Sequence, residues 1–353
     1  MSPDMKRLIL AAGLILSACS QAAPDQAVFH AEANPSTLAE WNVLKIDRGH
    51  LVPTGGSVVY DVSAPLFTDY AHKMRTVYTP QAATVLADGA LDFPVGSVLS
   101  KTFYYPERED RVLKTDDQGL GAIDLSAHRI IETRLLVRRD AGWQPVSYVW
   151  NASESEARLK RTGAVIALTL SGEARNDPFA YVVPNENQCA GCHVTDMRTK
   201  AFHPLGATAP QFQDRGKMVV AGVMRHDAFT PQLDYRDETL PIADRARSYL
   251  AANCAHCHQP DGPADTSGLD LRLDAVDERA MGRCKPPIAA GSGTGGHLYS
   301  IVPGAPDRSI MTYRMASTAP GAMMPELGRS LAHAEGLALI RGWIAEMDGE
   351  CGV

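Results

Sequence analysis

Beyond its N-terminal segment this chain has no apolar run approaching the ~20 residues needed to cross a bilayer, so its body is not read as membrane-spanning. It also has no excess of positive charge. Its 34 Lys and Arg face 41 Asp and Glu, a formal net charge of −7. That balance argues against nucleic acid as a partner and suits partners with a basic docking face. The low hydrophobicity of a disordered chain is missing as well: 45% of residues are hydrophobic and 21% charged, ordinary for a folded protein. At 353 residues the chain exceeds a comfortable single core, so two domains are expected.

The one long apolar run lies at the start. Lys6 and Arg7 form a basic n-region, residues 8–16 are apolar, and Ser17 and Ala18 lead into Cys19. This is the pattern of a cleaved export signal. Leu16-Ser17-Ala18-Cys19 resembles the lipobox of bacterial lipoproteins, in which the cysteine is lipidated and becomes the new N-terminus. The alternative is an ordinary signal with Cys19 a bystander. Ser20, not Asp, follows the cysteine, which implies sorting to the outer membrane and a lipid-anchored periplasmic protein. Residues 1–18 are then signal, and residues 19–36, rich in Ala, Gln and Pro, a flexible tether.

The most informative feature is a repeated pentad. Cys189-Ala190-Gly191-Cys192-His193 and Cys254-Ala255-His256-Cys257-His258 are two Cys-x-x-Cys-His units. Each offers two thiols that can add across haem vinyl groups and an adjacent imidazole that can ligate iron, the attachment signature of c-type haem. Two copies behind an export signal therefore predict two covalent haem c groups. A zinc site of four thiolates is the alternative, but it leaves both histidines unexplained. Of the 7 cysteines, Cys284 and Cys351 remain. In an oxidising compartment a leftover pair suggests a disulfide, two independent buried thiols being the other possibility.

Short β-prone runs fill the first half, at residues 57–60, 97–105, 129–138, 146–150 and 164–170, with Asp140-Ala141-Gly142 as a hairpin loop. The second half reads as helices and loops. Residues 242–253 form a helix running into the second pentad, and Leu337, Ile340, Trp343, Ile344 and Met347 recur at helical spacing. A helix, the pentad, a long loop with Met-Pro and a final helix make the layout of a class I cytochrome c domain. The expected fold is thus multi-domain α+β. An N-terminal β-rich domain (37–185), sandwich or barrel-like, precedes a first haem-binding segment (186–240) and a mainly α cytochrome c-like domain (241–353).

In that layout His258 is the proximal ligand, and Met324, followed by Pro325, the sixth, with Met323 as its rival. His/Met ligation raises the reduction potential and favours electron transfer over oxygen chemistry. Around the first pentad, His193 is the proximal ligand. Residues 177–188 read as a loop, so a complete independent cytochrome fold does not fit there. Its distal ligand is left open among Met218, Met224, His203, His226 or none. Arg245, Arg247 and Arg314 are candidates to neutralise haem propionates.

The order of several blocks resembles that of bacterial di-haem c-type cytochromes. They are Pro65-Leu66-Phe67-Thr68-Asp69-Tyr70-Ala71-His72-Lys73-Met74-Arg75, Phe93-Pro94-Val95-Gly96 with Lys101-Thr102-Phe103, Glu132-Thr133-Arg134, Tyr148-Val149-Trp150-Asn151 and Pro184-Asn185. Arg245-Ala246-Arg247-Ser248-Tyr249-Leu250 with Asn253, and Met324-Pro325-Glu326-Leu327-Gly328, complete the set. The resemblance implies two haems and a redox role, and it lapses over residues 211–232. The leading expectation is an electron-transfer lipoprotein passing electrons between redox protein partners. A di-haem peroxidase or oxidase with one open haem is the enzymatic alternative. A third class is a binding module whose surface is lined by Trp143, Trp150 and the Tyr104-Tyr105 pair; those four also suit a sheet core.

Overall fold

A computed structural model describes residues 26–115, 120–172, 176–288 and 291–352. The signal and Cys19 lie outside these residues, as does part of the tether. Fourteen strands precede the helices: β1 (Leu44–Asp47), β2 (His50–Pro53), β3 (Val58–Tyr60), β4 (His72–Tyr78), β5 (Thr84–Val85), β6 (Leu91–Asp92), β7 (Val98–Arg108), β8 (Arg111–Leu113), β9 (Ile123–Asp124), β10 (His128–Arg139), β11 (Gly142–Trp150), β12 (Ala157–Leu159), β13 (Ala164–Ser171) and β14 (Asn176–Val183). The helices are α1 (Glu186–His193), α2 (Arg215–Val220), α3 (Ile242–Asn253), α4 (Ile310–Ala316) and α5 (Ala334–Ala345). The fold is mixed α+β and mostly β, built on one nine-stranded sheet curled into a half-barrel. Among the described residues, no helix is long and apolar enough to cross a membrane.

β7 organises the sheet. Val98 to Pro106 pair with β10, while the other edge is shared: β4 takes Val98 to Tyr104, and β8 takes Glu107 and Arg108. Side chains alternate between faces at every residue, and here the two faces differ in chemistry. Met74, Tyr104, Leu135, Val137, Val146 and Tyr148 point to one side, where Leu38, Trp41, Leu44 and Leu51 of the N-terminal sheet β1-β2-β9 cover them. The hydroxyls on that side pair with one another: Thr102 with Thr133 at 2.8 Å, Thr76 with Ser100 at 2.6 Å, and Trp150 Nε1 donates to Thr133. The other face carries Arg75, Lys101 and Arg134 in one cross-strand row, flanked by two apolar clusters.

All five expected strand runs are strands, and the hairpin is tight, Arg139 pairing directly with Gly142. The expected loop at 177–188 is not a loop. Residues 176–183 form β14, the edge strand, where Pro178 leaves no neighbouring strand short of a donor. α1 follows at once and contains the first pentad. Asn185 caps it by accepting from Gln188 N–H at 2.8 Å, and the Gln188 side chain accepts from Asn185 N–H. Tyr104 and Tyr105 are fully buried, Trp150 is bonded to Thr133, and Trp143 packs edge-on against Phe93. Tyr104 and Tyr105 are core residues, and Trp143 and Trp150 pack half-buried against the sheet clusters.

In the C-terminal part α3 packs on α5. Gly336 makes this crossing possible, because a Cβ there would fall 2.4 Å from the Tyr249 ring and hydroxyl. A disulfide joins Cys284 to Cys351 across 67 residues and ties the C-terminal segment to the loop region. Closing a loop of that length should contribute about 2–4 kcal/mol. The Cys284→Ser/Cys351→Ser double variant is expected to be less stable by that margin and so to unfold at a lower temperature, measured by thermal circular dichroism; an unchanged midpoint would refute it.

Candidate functional site

The two pentads lie against each other. Cys257 Sγ is 3.3 Å from the Gly191 carbonyl, Gln259 Nε2 donates to Thr195 O at 3.1 Å, and Met197 N–H donates to Asp261 O at 2.8 Å. Residues 65 positions apart in sequence thus form one continuous contact. All four pentad cysteines are free thiols, and burial pushes Cys254 and Cys257 up to about 12, so they stay protonated. Among the described residues, no three His, Cys, Asp or Glu side chains converge to hold a metal ion by themselves.

Both pentad imidazoles are held in one tautomer by what they touch. His193 Nδ1 lies 2.8 Å from the His203 carbonyl, which can only accept, so Nδ1 carries the hydrogen and Nε2 keeps its lone pair. His258 Nδ1 lies 3.0 Å from Ser267 Oγ. That hydroxyl gives its own proton to Ala264 O at 2.7 Å, so it accepts from Nδ1–H and again leaves Nε2 bare. A histidine that ligates a metal through Nε2 is oriented in this way by a partner at its other nitrogen. Burial lowers His193 to about 3 and His258 to about 4, which keeps both rings neutral.

A cavity of about 590 Å³ opens beside the second pentad. Cys254, Cys257 and His258 line one side, and Met324, Met315 and Met311 face in from the other elements. Leu250, Leu269, Leu271 and Ile310 make its walls apolar. The volume and donor set fit a thioether-linked haem, since small-molecule and cofactor sites run from about 300 to 1,000 Å³. Met324 lines this cavity and Met323 does not, while Met311 and Met315 are methionines that spacing alone did not single out. Arg314 is also at the wall, 3.6 Å from Glu326. Arg245 and Arg247 are not; they bond to the carbonyls of Tyr235 and of Leu273 and Ala275.

Beside the first pentad the cavity is smaller, about 140 Å³. Cys189, Cys192 and His193 meet Tyr60, Arg75, Lys101, Arg134 and Ser147, one cross-strand row of the sheet. The donor set suits a haem here too, but the space between these walls is below what a porphyrin fills. Cys192 and Leu327 are common to both cavities. Met218 and Met224 do not reach this site. Both are buried at 1% exposure in the cluster of Val77, Phe93, Leu99 and Phe212, where they fill the core. His226 stacks on Phe229 in an exposed position, and His203 contributes its carbonyl to the Nδ1 side of His193.

The loop bearing Met324 is clamped from two directions. Arg329, buried at 6% exposure, donates to the carbonyls of Met324, Leu331 and Ser317. From the sheet side, the Asp69 carboxylate accepts from Ser330 N–H and Leu331 N–H, both at 2.7 Å. Phe67 N–H donates to Asn253 Oδ1 at 2.8 Å, tying the same segment to the end of α3. Asp69 and Tyr70 sit at φ 46° and 62°, an arrangement that these bonds sustain. No protein-family model, curated protein or solved structure matches the chain.

Burial pushes the Asp69 carboxyl from 3.8 up to about 6, against the opposing pull of the Leu331 and Ser330 amides, Arg329 and Lys73. The folded state then binds this proton more tightly than the unfolded one. Its contribution to stability is full below about pH 4 and is lost as pH rises through 6. Asp69→Asn mimics the neutral acid and keeps an acceptor oxygen. It should match wild type at pH 4 and exceed it by on the order of 3 kcal/mol at pH 7. Denaturant midpoints at both pH values check this, and a constant difference between the two proteins would contradict it.

Proposed function

We propose that the chain is an exported di-haem c-type cytochrome that passes electrons between redox partners. The observation that carries this reading is the pair of Cys-x-x-Cys-His units packed together with both Nε2 atoms bare, Cys257 Sγ lying 3.3 Å from Gly191 O. Cys254 and Cys257 would hold one haem with His258 as its ligand; Cys189, Cys192 and His193 offer the same donors to a second, at a cavity that must widen to take it. Each haem, when bound, supplies a one-electron iron couple; the protein supplies ligation, burial and orientation. Ser267 and the His203 carbonyl fix the ring tautomers. Arg329 and Asp69 hold the loop that presents Met324 to the second cavity.

The finer fold reading is that residues from α3 to α5 form a class I cytochrome c-like unit. Supporting it are α3 leading into the second pentad, α5 packed across α3, and Met324 on the loop between them, in the same cavity as His258. The sequence blocks that resemble di-haem cytochromes support it further, since Lys101, Arg134, Asn253 and Met324 among them line the two cavities. The export signal with Cys19 implies a lipid-anchored periplasmic location. One observation favours the peroxidase or oxidase alternative. The lining of the first cavity contains neither a methionine nor a second histidine, which is what an open iron position would need.

Protein matured in cells with a c-haem assembly system should carry two haems by pyridine haemochrome assay and intact mass. Unmodified mass would end the proposal. Met324→Ala is expected to convert one haem from low-spin to high-spin in electron paramagnetic resonance and to lower its midpoint potential. If the low-spin signals survive unchanged, Met324 is not the ligand, and Met311→Ala and Met315→Ala are the next variants. Peroxide turnover together with a high-spin signal in wild type would move the assignment to the enzymatic alternative.

A further inference from the structure

The face of the sheet that meets the first pentad carries more positive than negative charge, and one cation is left over. Arg75, Lys101 and Arg134 are in register across β4, β7 and β10. The Phe103 ring sits one row along, with Lys101 Nζ at 5.2 Å and the Arg134 guanidinium at 4.4 Å from its centre. Arg75 is paired with Asp61 at 3.0 Å, and Arg134 with the fully buried Glu132 through two hydrogen bonds. Lys73, in the adjacent row, gives its hydrogens to the carbonyls of Leu66 and Ala71. Among the described residues, Lys101 has neither a carboxylate within ion-pair distance nor a hydrogen-bond acceptor. It stands between two guanidiniums and lines the cavity that His193 and Cys192 close from above.

Burial and the two flanking guanidiniums lower Lys101 to about 7, so its ammonium form is costly unless an anion completes it. Ser147, at the Arg134 position of the next strand, also lines the cavity, and its hydroxyl can donate to an incoming oxygen. The volume of about 140 Å³ equals the liquid share of roughly five waters, enough for a small oxyanion or one carboxylate and too little for a nucleotide or a peptide. We propose that Lys101, with Arg75 and Arg134 beside it, forms an anion site for a carboxylate or small oxyanion on the sheet floor facing the first pentad. That oxyanion has two sources: a free solute entering the cavity, or a propionate of the haem held by Cys189 and Cys192. Only the second source rests on the function proposed above.

The test uses the matured full-length protein in phosphate-free buffer, with haem content recorded first by pyridine haemochrome. Inorganic phosphate and acetate are titrated by calorimetry into wild type, Lys101→Gln and Lys101→Arg. Binding to wild type that weakens at least tenfold in Lys101→Gln and is retained in Lys101→Arg assigns the site to a free oxyanion. No binding to wild type, with Lys101→Gln shifting a propionate bending mode in resonance Raman and lowering one midpoint potential, and Lys101→Arg restoring both, assigns it to the haem. If Lys101→Gln changes neither binding nor spectra, the site is refuted. Should the protein carry no haem, the phosphate and acetate titrations still decide for or against the anion site. Lys101→Gln takes charge from between two arginines and relieves repulsion, whereas Lys101→Arg keeps charge there; thermal midpoints of both variants report whether they fold.

Discussion

The alternation of side chains along β4, β7 and β10 is the constraint on which the site rests. Because successive residues point to opposite faces, Met74, Thr102 and Leu135 go to a dry core while Arg75, Lys101 and Arg134 go together to the other side. A one-residue slip in any one strand would turn that strand's side chains over and bury its cation beneath the N-terminal sheet. Such a register is strongly specified, since the apolar face is covered by Leu38, Trp41 and Leu51 and cannot take charge. β7 is the common strand for both neighbours, so its placement sets the whole row.

Charge on the other face is tolerated because most of it is matched. Glu132, with no exposure, receives two hydrogen bonds from Arg134 and one from the Tyr181 hydroxyl at 2.7 Å. A buried carboxylate in a complete network of this kind is compatible with a stable core, whereas removing one partner would leave an unpaired charge. Two apolar clusters bound the charged strip. One, built on Phe103, Tyr105, Phe179 and Tyr181, lies towards β13 and β14; the other holds Phe93, Leu99, Phe212 and the two buried methionines Met218 and Met224. α1 sits over the strip between them, so the first pentad faces polar sheet on one side and the second pentad on another.

The C-terminal part is fastened to the sheet by main-chain hydrogen bonds at a few points. Asp69 takes two consecutive amides of the loop after Met324, Asn253 at the end of α3 takes the amide of Phe67, and the Tyr235 hydroxyl gives its proton to Pro65 O. Bonds to backbone leave few ways to shift one part against the other without stranding a polar group. The segment from Pro65 to Arg75 thus does two jobs. Its first half grips the C-terminal part, and its second half is β4, which carries Arg75 into the charged row.

The pentads, the strands at 98–108, 128–139 and 164–171, and the helices leading into and away from the second pentad were legible in sequence, because each is declared by local spacing. β14 was hidden by Pro178, which local rules read as a loop and which an edge strand accommodates. Met218 and Met224 were candidate ligands because they lie nearest a plausible strand or helix; packing sends both into a core cluster. Ser267 and the His203 carbonyl carried no motif at all, since a single hydroxyl and a backbone oxygen are marked only by what they face. By itself the sequence determined the fixed offsets of thiols and imidazole in each pentad. The tertiary structure alone decided that the two pentads touch, that Met324 shares a cavity with His258, and that Lys101 stands unpaired between two arginines. Those are relations between residues brought together by strand register and helix packing, and no local pattern encodes them.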